Sequence, residues 1–305
     1  MNRRLVILGT SSQVPTVKRN HLAFFLKWDR EGFLFDPGEG TQRQFVLNGI
    51  SSSQITKIFL SHFHGDHCLG LPGIIQRLSL DGVKHSITIF FPASGKRFLH
   101  NLLNCVIFDN KVSINKKPIL DSGIIYEDEE IKIIALSLVH SVETFGFRIE
   151  EKDKRTILPQ KLPKELKKED IGKLKREGVI EIKGKKIFLE DVSRIKRGQK
   201  FAYVADTKFC DNAIKLAEDV DLLVCESTYT ENEADLAKDY KHLTAKQAAQ
   251  IAKEAGAKKL VLVHFSQRYS VVDVFLNEAK EIFENTIAAK DGDVIELPRI
   301  KRDMS

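Results

Sequence analysis

Residues 57–67 read Lys57-Ile58-Phe59-Leu60-Ser61-His62-Phe63-His64-Gly65-Asp66-His67. The apolar run that ends at Leu60 has strand length, and the polar cluster begins where it stops. A rigid strand aims the loop that follows it, which suits side chains that must converge on one point. Imidazole is the commonest protein zinc ligand, and carboxylate is another. His62, His64, Asp66 and His67 place four ligand-type side chains within six residues. One tetrahedral ion that keeps a position open for substrate uses only three. The crowding therefore predicts two metal ions, and three histidines with an aspartate at this spacing seldom arise without metal.

Three other strand endings repeat the arrangement. Val139-His140-Ser141 closes an apolar run that begins at Ile131. Tyr203-Val204-Ala205-Asp206-Thr207 closes another, and Val261-Leu262-Val263-His264-Phe265 a third. Each alone is as readily a cap or a turn. Together with the 62–67 cluster they supply seven ligands: His62, His64, Asp66, His67, His140, Asp206 and His264. Seven suits a dinuclear zinc site with one bridging carboxylate. Of the nine histidines, His21, His85 and His100 gain no role and are read as structural or surface residues. Asp36 follows a predicted strand at 33–35 and precedes Pro37-Gly38, a turn that brings backbone close to something. It is expected to accept a hydrogen bond from a metal-ligating histidine rather than to bind metal itself.

Short apolar runs at 5–8, 22–26, 33–35, 58–60, 87–91, 131–139, 145–149, 201–204, 222–225 and 260–263 are predicted strands. Helical patterns fall at 42–48, 72–80, 96–103, 211–217, 244–254 and 271–283. Thr244 and Gln247 form a capping-box pattern, and Gly256 is placed to stop that helix. Strands and helices interleave throughout, so the class is α/β or α+β.

The chain has 305 residues, 42% hydrophobic, a formal charge of +6 and 30% charged residues, a globular composition. No apolar run approaches membrane-spanning length, and 5–8 is too short for a signal peptide. Cys68, Cys105, Cys210 and Cys225 form no paired spacing and read as reduced thiols of a cytoplasmic protein. The basic character is local. Residues 151–200 carry 17 Lys and Arg against 9 Asp and Glu, an excess of +8 where the whole chain has +6. That stretch reads either as a solvated insertion or as an arm that touches phosphates.

His-x-His-x-Asp-His at 62–67, with His140, Asp206 and His264 following in order, resembles the metallo-β-lactamase superfamily. The resemblance implies an αββα sandwich of two similar halves with two zinc ions at the sheet edge. Leu8-Gly9-Thr10-Ser11, Asp36-Pro37-Gly38-Glu39-Gly40-Thr41-Gln42-Arg43-Gln44, Glu226-Ser227-Thr228, His242-Leu243-Thr244 and His264-Phe265-Ser266-Gln267-Arg268-Tyr269 are similar to the ribonuclease Z branch, the tRNA 3′-processing endonucleases. The match runs from about residue 5 to 270, and 151–200 sits where that family inserts its tRNA-binding arm.

By this resemblance His62, His64, His140 and Asp206 hold one zinc, and Asp66, His67, Asp206 and His264 the other. The resemblance implies metal-hydroxide attack on a phosphodiester of precursor tRNA, leaving a tRNA 3′-hydroxyl and a trailer 5′-phosphate. Asp66 is the expected proton acceptor and His242 the expected proton donor to the departing oxygen, with Glu226 orienting His242. Arg268 is read as a phosphate contact or a structural residue. Family members are commonly homodimers, and no membrane association is expected. A thioesterase or small phosphodiesterase of the same fold would need no +8 arm. A nonenzymatic RNA-binding relative would not need the full ligand set.

Overall fold

The chain is described by a computed structural model that covers residues 3–163 and 165–298. Its first half runs β1 (Arg3–Gly9), β2 (Ala23–Trp28), β3 (Glu31–Phe35), α1 (Thr41–Leu47) and β4 (Lys57–Phe59). There follow α2 (Gly65–Cys68), α3 (Leu71–Leu80), β5 (Ile87–Pro92), α4 (Lys96–Leu103) and β6 (Ile114–Ile119). The second half opens with β7 (Gly123–Glu127), β8 (Ile131–Leu138) and β9 (Thr144–Glu151). An excursion then carries β10 (Lys154–Ile157), α5 (Lys168–Glu177), β11 (Val179–Ile182), β12 (Lys185–Phe188) and β13 (Ser193–Lys196). The half resumes with β14 (Lys200–Val204), α6 (Asp211–Ala217), β15 (Leu222–Glu226), α7 (Ala234–Tyr240) and α8 (Ala245–Glu254). It closes with β16 (Leu260–Val263), α9 (Asp273–Lys280), β17 (Thr286–Ala288) and β18 (Val294–Glu296).

Two seven-stranded sheets result, ordered β18-β1-β2-β3-β4-β5-β6 and β17-β16-β15-β14-β9-β8-β7. They pack face to face through aromatic side chains. Phe35 stacks on Phe59 at 4.7 Å, Phe59 meets Phe147 of the other sheet at 5.1 Å, and Phe24 meets Tyr203 edge-on at 4.8 Å. The opposite face of the first sheet, with Phe25, Leu34, Ile58 and Ile89, packs under Ile74, Ile75 and Leu78 of α3 and Leu99 of α4. Helices α6, α8 and α9 cover the second sheet. Helix, sheet, sheet and helix layers are the αββα sandwich expected. Because both faces of the central strands are buried, those strands read as continuous apolar runs rather than as alternating ones.

Pattern reading overlooks β6, β7, β17 and β18, the outermost strands of the two sheets. In β6, Asn115, Lys116, Lys117 and Pro118 are exposed, and edge strands tolerate that composition. The capping box at Thr244 and Gln247 forms, and Gly256 leaves the helix at φ 66°.

The excursion at 152–199 is more ordered than its composition predicts. β10 pairs with β13 as a stem, and β11 pairs with β12 through Lys183 and Gly184, both at positive φ. Leu174, Ile180 and Val192 are buried in a small cluster of its own. Its apolar residues come in runs no longer than Ile187-Phe188-Leu189, divided by charged residues, so hydrophobic periodicity does not show the cluster.

Candidate metal centre

β14, β15 and β16 run parallel, and β8 points the same way because it pairs antiparallel to β9, which pairs antiparallel to β14. Their carboxyl ends therefore lie at one edge, where open α/β sheets place their sites. His140, Asp206 and His264 leave that edge from β8, β14 and β16. The 61–67 loop reaches the same edge from β4, and Phe145 N–H donates to the Ser61 carbonyl across the sandwich (3.0 Å). Gly38 makes the close approach possible, since a Cβ there would lie 2.2 Å from the Asp66 carbonyl oxygen. His264, at φ 65°, and Asp36, at φ 41°, are non-glycine residues in left-handed backbone, a strain that concentrates at functional sites.

The structure brings all seven predicted ligands together. His62, His64, His140 and Asp206 form one group, and Asp66, His67 and His264 another. Asp206 lies between them: its Oδ2 is 3.8 Å from His62 Nε2 and His140 Nε2, 3.4 Å from His67 Nε2 and 3.5 Å from His264 Nε2.

Proton accounting decides what these atoms can do. Ser61 Oγ donates its single proton to Asp36 Oδ2 (2.6 Å), so it must accept from His62 Nδ1 (2.9 Å). Thr228 Oγ1 donates to Glu226 Oε2 (2.8 Å), so it must accept from His264 Nδ1 (2.8 Å). His67 Nδ1 donates to Asp36 Oδ2 (2.9 Å), and His140 Nδ1 donates to the Lys241 carbonyl (3.1 Å). Four imidazoles thus have Nδ1 occupied by the protein, and the pattern aims their Nε2 atoms inward. There His62 Nε2 meets His64 Nδ1 at 3.0 Å, and His67 Nε2 meets His264 Nε2 at 3.2 Å. Nitrogens facing one another this closely fit shared cations. Asp206 Oδ1 is buried without a hydrogen-bond partner, a free lone pair in the same place. The residues fit a metal cofactor.

The electrostatics agree. Burial and the charge of His67 hold His62 well below the usual histidine range, as a neutral imidazole. Burial opposes the charge on His67, but Asp206 and Asp66 outweigh it and raise that histidine, so an entering cation displaces a proton. Burial works against ionised Asp66 too, yet His67 and His264 hold its carboxyl well below the usual range.

His242 stands at the rim of the cluster, beside the fully buried Glu226. Glu226 Oε1 accepts from His242 Nδ1 (2.9 Å), and Glu226 also receives the Thr207 and Thr228 amides. Burial would lower His242, but the Glu226 charge and hydrogen bond, with Asp206, raise it to about 9. His242 Nδ1 is also 3.9 Å from Asp206 Oδ2, but Glu226 is nearer. Asp36 takes the outer position expected of it, binding His67, Ser61 and the Tyr203 hydroxyl (2.7 Å). His85 Nε2 donates to the Ile55 carbonyl, and His21 Nε2 to the Gln13 carbonyl, both outside the cluster.

This chain is 48% identical over 290 residues to ribonuclease Z of Protochlamydia amoebophila, covering 95% of each chain. The chain belongs to the ribonuclease Z family. Ribonuclease Z of Streptomyces avermitilis is 45% identical, with 98% of this chain and 99% of that one covered. Models of the metallo-beta-lactamase superfamily and of the beta-lactamase superfamily domain match residues 17–104 and 192–265. Among solved structures, human tRNase Z, short form, aligns with a TM-score of 0.71 at 26% identity, covering 97% of this chain and 100% of that one. YhfI from Bacillus subtilis aligns at 0.69 with 18% identity, a likeness of fold alone.

Sequence reasoning about this ribonuclease Z family chain missed Ser61, Thr228, Tyr203 and the Lys241 carbonyl, which hold the imidazoles or Asp36. Ser61, Thr228 and Tyr203 each lie within a few residues of a predicted site residue, so adjacency was the available clue. The Lys241 carbonyl carried none, because a backbone acceptor has no sequence signature.

Proposed function

We propose that this chain is a zinc-dependent endoribonuclease that removes the 3′ trailer from precursor tRNA, leaving a tRNA 3′-hydroxyl and a trailer 5′-phosphate. The observation that carries the reading is end-to-end relatedness to ribonuclease Z over seven converging metal-ligand side chains. His62, His64, His140 and Asp206 would hold one zinc, and Asp66, His67, Asp206 and His264 the second, with Asp206 shared. Two zinc ions there would polarise a phosphodiester and make water acidic enough to ionise near neutral pH.

The chain's own residues supply the rest. Asp66 takes the proton of the attacking water. His242, protonated through neutral pH and tied at Nδ1 to Glu226, offers Nε2 to protonate the departing ribose oxygen. Glu226 is itself held by two backbone amides and Thr228 Oγ1, so it orients the ring without swinging. The basic segment 151–200 is the arm that grips tRNA phosphates away from the centre. The protein works in the cytoplasm as a homodimer in which one protomer's arm serves its partner's centre.

Metal analysis with cleavage of a precursor tRNA, the product ends mapped, tests the reading. Two zinc ions per chain and a single cut 3′ of the acceptor stem are expected. A zinc-loaded protein that leaves precursor tRNA intact would overturn it, and a sedimentation measurement checks the dimer.

A further inference from the structure

Arg3 lies far from the metal centre, yet it is 5% exposed and holds both ends of the excursion at 152–199. Its Nη1 donates to Glu151 Oε2 (2.6 Å), where β9 ends, and to Gln199 Oε1 (3.1 Å), just before β14. Its Nε and Nη2 donate to Asp29 Oδ2 (2.8 and 2.5 Å), in the turn between β2 and β3 of the other sheet. The guanidinium also lies over the Trp28 ring, 4.2 Å from its centroid. The two ends are laced to each other as well. Glu151 N–H donates to the Gln199 carbonyl (2.8 Å), Gln199 N–H to Glu151 Oε2 (3.2 Å), and Gly198 N–H to Asp153 Oδ1 (2.8 Å). A Cβ at Gly198 would stand 1.9 Å from the Glu151 carbonyl oxygen, so the crossing is too close for a side chain. Gln199 Nε2 donates onward to the Pro298 carbonyl (2.8 Å).

Above this root the excursion continues through the four-residue ribbon of β10 and β13, whose flanks touch the body through Lys154 to Glu130 (3.6 Å) and Arg197 to the Asp219 carbonyl (2.5 Å). A two-stranded ribbon of that length has little stiffness of its own. Its direction is therefore set at the root, where one planar fork with several fixed donors reaches three acceptors in two sheets. We propose that Arg3 is a positioning residue that sets the angle of the arm to the body, and so determines how well long RNA, but not a small diester, is held. The proposal rests on the reading of 151–200 as the RNA-gripping arm.

The test compares the full-length zinc enzyme with Arg3→Lys, which keeps the charge but loses the fork, and with Arg3→Met. Steady-state kinetics are measured on precursor tRNA and on bis(p-nitrophenyl) phosphate, with amide hydrogen exchange followed at the root. For Arg3→Lys the KM for precursor tRNA should rise about tenfold, with kcat and diester hydrolysis within twofold. Exchange of the Glu151 and Gln199 amides should quicken at least tenfold while Leu174, in the arm's own cluster, is unchanged. Arg3→Met should show the same pattern more strongly. If Arg3→Met does not fold, Arg3→Lys carries the test. Unchanged KM alongside faster exchange would overturn the proposal, as would a parallel fall in kcat on both substrates. Replacing 152–199 by a short linker separates the two readings. If that deletion leaves the tRNA KM unchanged, the arm reading itself fails. If it raises KM and Arg3→Lys does not, only the role of Arg3 fails.

Discussion

Glu226 Oε1 and His242 Nδ1 stand 2.9 Å apart, with the carboxylate fully buried and the imidazole at the rim of the metal cluster. A buried carboxylate that already receives two amides and a hydroxyl holds the ring in one orientation and favours its protonated form. His242→Ala should lower the rate of precursor tRNA cleavage about 10²–10⁴-fold, with metal content unchanged. Loss of a metal ion from this variant would move His242 into the ligand set.

Asp66→Ala should abolish cleavage while the protein still folds and binds precursor tRNA. Asp66 Oδ2 is 3.4 Å from His67 Nε2 and 3.3 Å from His264 Nε2, so under the proposed function its loss would remove a ligand and the proton acceptor together. Turnover above a small fraction of the parent's, with zinc supplied, would reassign the role of Asp66.

Chelation should lower the melting temperature, and added zinc should restore it. The site gathers buried imidazoles and carboxylates whose arrangement a cation stabilises, and a ligand that binds only the folded state stabilises it by mass action. A melting curve indifferent to chelator would argue against a tightly held metal. A titration of the chelated protein with zinc gives the count, expected to be two.

Replacing 152–199 with a short linker should leave zinc content and hydrolysis of bis(p-nitrophenyl) phosphate intact. Glu150 and Lys200 are paired across β9 and β14, so the cut ends already lie side by side as a hairpin. Affinity for precursor tRNA should fall sharply, and its dependence on salt should flatten, because fewer neutralised phosphates remain to release counterions. The same salt slope before and after deletion would make the segment a solvated loop.

Asp291 makes stability depend on pH. Burial raises its carboxyl to about 6, although the Asn20 amide and the Thr10 hydroxyl donate to it. The folded state therefore holds this proton more tightly than the unfolded chain does. Stability is favoured below pH 4 and falls as pH rises through about 6, by on the order of 3 kcal/mol. Asp291→Asn should remove that slope, since an amide can accept from Asn20 and donate to Thr10. Denaturant titrations at pH 4 and pH 8 check it: an equal loss of stability in parent and variant would assign the slope to other groups.

Much of the site is legible because it is written in neighbouring residues. The ligands at 62–67 share one loop, and His140, Asp206 and His264 each follow an apolar run that periodicity identifies. Edge strands and the arm are less legible. β6 carries the polar residues that edges tolerate, β7 is a short Gly-Ile-Ile-Tyr-Glu stretch, and the arm's apolar runs are no longer than Ile187-Phe188-Leu189.

The sequence by itself determined the fold class, the set of ligand-type side chains that converge and the place of the basic segment, because each is a local pattern of side-chain type against backbone period. Only the tertiary structure decided which nitrogen of His62, His67, His140 and His264 faces inward. That depends on Ser61, Asp36, Thr228 and the Lys241 carbonyl, whose protons and lone pairs find partners only after folding. It also decided that Arg3 meets Glu151, 148 positions away, and that His67 meets His264, 197 positions away. Local chemistry carries no record of such pairs. They arise when two sheets, held together by their aromatic faces, bring distant strand ends to a common edge.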